Sequence, residues 1–197
     1  MQHKNMSRHS LLSIALLLIS GSFGMASAQE AELSLYYKIV AVVGKAEPKW
    51  KLNRKAILSN QVIIRWVSGQ QRALISVALL GSEDDARVGL RARVNDWNDV
   101  PGSKVVTSPL NGVGAEGYIL KRDGVKGTQI LFRKHGFVVE VFGPADYVAR
   151  KFARHAADAL PPSNNSSQRT AGIRQVRLPR PNQLFYFLRV NSSRALR

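Results

Sequence analysis

Residues 129–160 read QILFRKHGFVVEVFGPADYVARKFARHAADAL, and their pattern decides the fold. Ile130, Leu131 and Phe132 form a short apolar run that closes on Arg133 and Lys134. His135-Gly136 supplies a turn, with Gly136 expected to take positive φ at no steric cost. Phe137 to Phe142 return as a β-branched and aromatic run, so the two runs predict a hairpin. Gly143 breaks the strand. Pro144 suits the first helical position, where its missing N–H has no intrahelical partner anyway. Asp146 falls in the first turn, where the helix dipole favours negative charge. Val148, Phe152, Ala156 and Ala159 then recur at helical spacing, and Pro161-Pro162 ends the helix at Leu160. Burying Val148, Phe152 and Leu160 contributes roughly 1.5–3 kcal/mol each before entropy is counted.

An earlier stretch repeats this outline. Val62 to Val67 predicts a strand, Ser68 to Gln71 a turn and Arg72 to Leu80 the return strand. Gly81 ends it, and Ser82-Glu83-Asp84-Asp85 resembles a capping box, with Asp85 where Glu usually stands. Ala86, Leu90, Val94 and Trp97 follow at helical spacing, while Arg87, Arg91 and Arg93 are expected on the other faces. IIRWVSG at 63–69 parallels ILFRKHG at 130–136. Two readings stand for that parallel, an internal duplication and the chance likeness of any two hairpin-plus-helix units. Between the units, residues 98–114 are loop-rich, with Val105 to Thr107 a candidate edge strand. Gly117 to Arg122 adds a further strand. The expected fold is α+β: a mostly antiparallel sheet of about five strands with two helices on one face, as two ββα-like units.

The ends differ from this body. His3, Lys4 and Arg8 precede the apolar run Leu11 to Ile19, and Ala26-Ser27-Ala28 offers a cleavage site, so residues 1–28 are expected to be an export signal. The run is short of the roughly 20 residues a membrane span needs. Residues 29–60 form a lead-in: Leu33 to Val43 suits either strand or helix, and Gly44 to Lys55 is expected to be irregular, with Trp50 tucked on the core. Residues 61–162 form the α+β domain. Residues 163–197 are a basic tail expected to be disordered. The other reading of that tail is a segment without an evolved role, the product of a shifted reading frame.

Charge narrows the partners. The chain carries a formal net charge of +16. Residues 163–197 hold seven Arg and no acid, while residues 29–162 hold 20 Lys and Arg against 13 acids. Such a chain attracts anionic polymers or membrane surfaces, with no specific nucleic acid indicated. The candidate cations are Arg87, Arg91, Arg150, Lys151 and Arg154 on the helices and Arg174, Arg177 and Arg180 in the tail.

Chemistry is harder to place. The absence of cysteine removes disulfides, thiolate catalysis and Cys-based zinc sites. His135 and His155 lack a second ligand at metal spacing and are expected to face solvent. Gly112-Val113-Gly114-Ala115-Glu116-Gly117 matches GxGxxG, but a loop precedes it and a strand follows, so a flexible loop is the better reading. Glu140 alternates with valines and is expected on a solvated face. No cofactor or metal is expected. The leading expectation is a non-enzymatic module, periplasmic or extracellular, that binds an anionic envelope component. A protein-docking domain using an open sheet face is the second. A hydrolase built on Glu116, Asp123 or Glu140 is the third. Oligomeric state does not follow from the residues.

Overall fold

The computed structural model describes residues 30–99 and 104–162. The expected export signal and basic tail, with Arg174, Arg177 and Arg180, lie outside the described residues. Residues 30–46 form helix α1. There follow β1 (Lys51–Leu58), β2 (Gln61–Ser68), β3 (Gln71–Leu79) and α2 (Glu83–Asn98). The chain continues through β4 (Val105–Pro109), β5 (Glu116–Arg122), β6 (Thr128–Lys134), β7 (Phe137–Gly143) and α3 (Asp146–Ala159). The strands make one seven-stranded sheet in the order β1-β2-β3-β7-β6-β5-β4. Every neighbouring pair is antiparallel.

The class is α+β, with seven strands rather than about five and three helices rather than two. The added strands are the two edges. β4 extends the short Val105–Thr107 run, and β1 lies where an irregular lead-in was expected. β1 reads KLNRKAIL and is mostly exposed, so no apolar alternation marks it. Helix α1 resolves the ambiguity of Leu33 to Val43. Leu35, Tyr36, Ile39 and Val43 are buried, the one-sided spacing of a helix. Trp50 packs edge-on against Phe152 with ring centroids 5.1 Å apart.

Strand alternation divides the core in two. Val62, Ile64, Trp66, Ile75, Val77, Ile130, Phe132, Val139 and Val141 point to one face, where α1 and α3 cover them. Leu120, Leu131 and Val138 point to the other, under Ala86, Leu90 and Trp97 of α2. The expectation of two helices on one face is therefore corrected. After Gly81, at φ 84°, α2 crosses to β6 and β7 instead of folding back on its own hairpin, whereas α3 returns over β7, β6 and β3. This arrangement also disfavours duplication. A two-fold axis relating antiparallel neighbours β3 and β7 would stand normal to the sheet and keep both helices on one face. Ile63 and Ile130, equivalent in the two similar stretches, point to opposite faces as well.

Local chemistry was read correctly at α2 and less so elsewhere. The Asp85 backbone N–H donates to Ser82 Oγ at 3.0 Å, and Ser82 Oγ–H donates to Asp85 Oδ2 at 2.7 Å. Pro144 stands before the cap of α3, which is Ala145. In the β6–β7 turn His135, not Gly136, takes positive φ, at 54°. Gly136 answers a different need: a Cβ there would sit 3.2 Å from the Gly81 carbonyl carbon. Among the described residues, no helix is long and apolar enough to cross a membrane.

Candidate functional site

The helix cations fall on two sides of the sheet. Arg87 and Arg91 ride on α2, and Arg150, Lys151 and Arg154 ride on α3, with the sheet between them. Several are matched by acids. Arg87 meets Asp84 at 3.3 Å, Arg150 meets Asp146 at 2.8 Å and Lys151 meets Glu47 at 2.9 Å. Arg91 lies within electrostatic reach of Glu116. The five do not form one surface, and most of their charge is compensated locally.

A second group of cations escaped sequence reading. Arg65 of β2 stands opposite Arg54 of β1, while Arg72 of β3 sits diagonally across from it, opposite Val67. The pairing depends on a register shift between Leu52 and Arg54. Without that bulge, strict alternation would pair Asn53 with Arg65 and turn Arg54 to the opposite face. Arg65 is 3% exposed, Arg54 is exposed and Arg72 is half-buried. Burial pushes the Arg65 guanidinium below its ordinary pKa, and the charges of Arg54 and Arg72 push it the same way. The three arginines thus form a ladder on one face of the sheet. Arginine in strands alternating with apolar residues carries no helical or heptad signal, and a bulge has none either.

On the α2 side of the sheet lies a buried polar row. Gln61 Nε2 donates to Ser76 Oγ at 3.0 Å, and Gln129 Nε2 donates to Glu140 Oε1. Arg93 Nε lies 3.5 Å from Glu140 Oε2, with both side chains 3% exposed. Glu140 thus faces the core under α2 rather than solvent, and Arg93 points inward rather than away. Burial pushes the Glu140 carboxyl up, with Arg93 acting in the opposite sense. The alternation of Glu140 with Val139 and Val141 was read correctly as a change of face, but both faces of β7 are covered.

Two carboxylates tie elements together. Glu47, just after α1, receives Lys151 at 2.9 Å and His155 at 3.3 Å from α3. Burial raises its pKa, but the interactions with Lys151 and His155 outweigh this and leave it below its ordinary 4.5. Glu116 of β5 is held low first by Arg133, at 3.0 Å, then by Tyr118, against the push of burial. His135 and His155 are only partly exposed, and each sits beside a carboxylate, Glu83 at 3.5 Å and Glu47 respectively. The depressed pKa values set a sign. Stability from Glu47 and Glu116 is present above about pH 4.5 and is lost as pH falls through their folded values. Urea midpoints measured downward from pH 6 should fall less in Glu47→Gln/Glu116→Gln than in the unaltered chain. An equal fall would show that these groups do not carry the acid limb.

The GxGxxG stretch has a packing explanation. Gly112 and Gly114 take φ of 75° and 70°. A Cβ on Gly114 would press on the Arg133 carbonyl oxygen and lie 2.9 Å from Phe132 Cδ2. At Gly117 a Cβ would lie 2.9 Å from Phe132 Cβ. The glycines let this loop, and the strand β5 that follows, lie flat on β6. Gly114→Ala should cost at least about 1–2 kcal/mol from the left-handed backbone alone, read as a lower thermal midpoint. An unchanged midpoint would remove the close-approach account.

Among the described residues, no three His, Asp or Glu side chains gather where they could hold a metal ion. Comparison with known protein families, with curated proteins and with solved structures finds no match to this chain.

Proposed function

We propose that the chain is an exported binding or accessory module, periplasmic or extracellular, that holds an anionic component of the cell envelope on its basic surfaces and performs no chemistry of its own. The observation that supports this most is the bulge in β1 that turns Arg54 to face Arg65. The bulge sets Arg54, Arg65 and Arg72 on one face of the sheet, where an anion would meet converging guanidinium groups. The helix cations contribute less, since the sheet separates those of α2 from those of α3.

Docking of a protein on the sheet is the second reading. Helix α2 lies over β6 and β7, and Ile63, Arg65 and Leu74 on the same face are buried, so a protein partner there would approach the exposed edge strand β1, beside Arg54. That favours an acidic partner. Glu116 and Glu140 are each tied to an arginine rather than to one another, which makes a carboxylate hydrolase the weaker reading.

The test is binding of chain 29–197, the predicted mature form, and of chain 29–162 to duplex DNA and to anionic vesicles across a salt series. DNA serves here only as a regular polyanion. Binding by both forms that weakens steeply with salt is expected, with a log–log slope near −4.5 on DNA if about five phosphates are contacted. Absence of binding to both ligands near about 0.15 M salt would overturn the reading.

A further inference from the structure

We infer that the edge formed by α1 and β1 is a docking surface for an anionic lipid bilayer. This rests on the proposed module and names the source of its anion. Two contacts lay α1 along the edge strand. Glu32 Oε1 accepts the Asn60 backbone N–H at 2.8 Å, and Lys55 Nζ sits 4.7 Å above the Tyr36 ring. The helix therefore runs antiparallel to β1, on the side of the sheet to which Leu52 and Lys55 point.

This surface mixes apolar and basic side chains. The outward side of α1 carries Leu33, 38% exposed, and Tyr37, 59% exposed, at i, i+4 spacing, with Ala41 one turn further. β1 adds Leu52, 42% exposed, on the side of the sheet that α1 covers, while Leu58 lies on the other side. Around these apolar groups stand exposed Lys38, Lys45, Lys49 and Lys55, with Lys51 and Arg54 on the other face of β1. Of the three acids of this stretch, Glu32 is buried on Asn60 and Glu47 is held by Lys151 and His155, which leaves the exposed Glu30 at the start of α1 against the cations. A soluble polyanion would use the cations but leave Leu33, Tyr37 and Leu52 in water. A protein partner would fit the apolar groups but would need a matching set of acids. An anionic bilayer satisfies both, with lysines on headgroup phosphates and Tyr37 and the leucines at the acyl boundary. Arg54 links this edge to the arginine ladder.

The test compares Leu33→Ser/Tyr37→Ser with the unaltered chain 29–197. The probes are vesicles of phosphatidylcholine with phosphatidylglycerol, vesicles of phosphatidylcholine alone, and duplex DNA. Both substituted side chains are exposed, so circular dichroism should be unchanged. The expected result is vesicle binding that requires phosphatidylglycerol and weakens about tenfold or more in the variant, with DNA binding retained. A Tyr37→Trp reporter should shift its emission to the blue on those vesicles and not on DNA. Loss of both ligands together, loss of neither, or no emission shift would overturn the lipid inference while leaving the anion-binding module standing. Binding of neither ligand by the unaltered chain would overturn both.

Discussion

Replacing Arg93 by Met is expected to destabilise the fold by about 3–5 kcal/mol, the usual cost of leaving one partner of a buried ion pair behind. Arg93 and Glu140 are each 3% exposed, so solvent cannot take over the abandoned carboxylate. Burial already pushes Glu140 upward, and loss of Arg93 removes a force opposing it. The variant should therefore become less stable as pH rises, because the folded state binds the Glu140 proton more tightly than the unfolded one. Pairing Arg93→Met with Glu140→Gln removes both charges and keeps an oxygen for Gln129 to donate to. The double variant should lose less than about 2 kcal/mol. Urea unfolding of the four forms measures this cycle. A double variant as damaged as the sum of the singles would show that the two side chains act independently.

Phe152 carries the second large effect. It is fully buried on α3, with Trp50 and Trp66 edge-on to its ring at 5.1 and 6.4 Å. It therefore joins the stretch after α1, the strand β2 and the last helix. Phe152→Ala should cost about 3–5 kcal/mol through lost transfer energy and the cavity left behind. Phe152→Asp adds an unpaired buried charge and should exceed the roughly 5–15 kcal/mol that holds a domain folded. Far-ultraviolet circular dichroism and solubility report it. A soluble Phe152→Asp chain with a cooperative transition would contradict the single core shared by α1, α3 and the sheet.

The two hairpins and helices α2 and α3 were legible because their apolar residues recur with the periods of strand and helix. Leu131 and Val138 differ from Ile130 and Val139 in nothing that sequence displays, yet they face different helices. Which face a helix takes depends on where the chain crosses after Gly81, and composition does not encode that path. Glu140 misled for the same reason: alternation shows that it shares a face with Val138, not that α2 lies over that face. The edge strand β1 was invisible because six of its eight positions are exposed and impose no pattern, with only Ala56 and Ile57 half-buried among them. The arginine ladder could not be foreseen at all. Arg54, Arg65 and Arg72 are unremarkable one by one, and the bulge that joins them follows from backbone geometry. The candidate cations on α2 and α3 were found by spacing, but spacing could not show that the sheet separates them or that Asp84, Asp146 and Glu47 already answer three of them.

The most direct test of the binding proposal is the salt dependence of DNA binding by Arg54→Gln/Arg72→Gln beside Arg87→Gln/Arg150→Gln/Arg154→Gln, both in chain 29–197. Arg65 is left in place because it is buried. If the ladder holds the anion, the first variant loses two phosphate contacts, and its log–log slope should become shallower by about 1.8. The helix variant should change little. An unchanged slope in the ladder variant, with the loss confined to the helix variant, would contradict the assignment of the anion to the face of β1, β2 and β3.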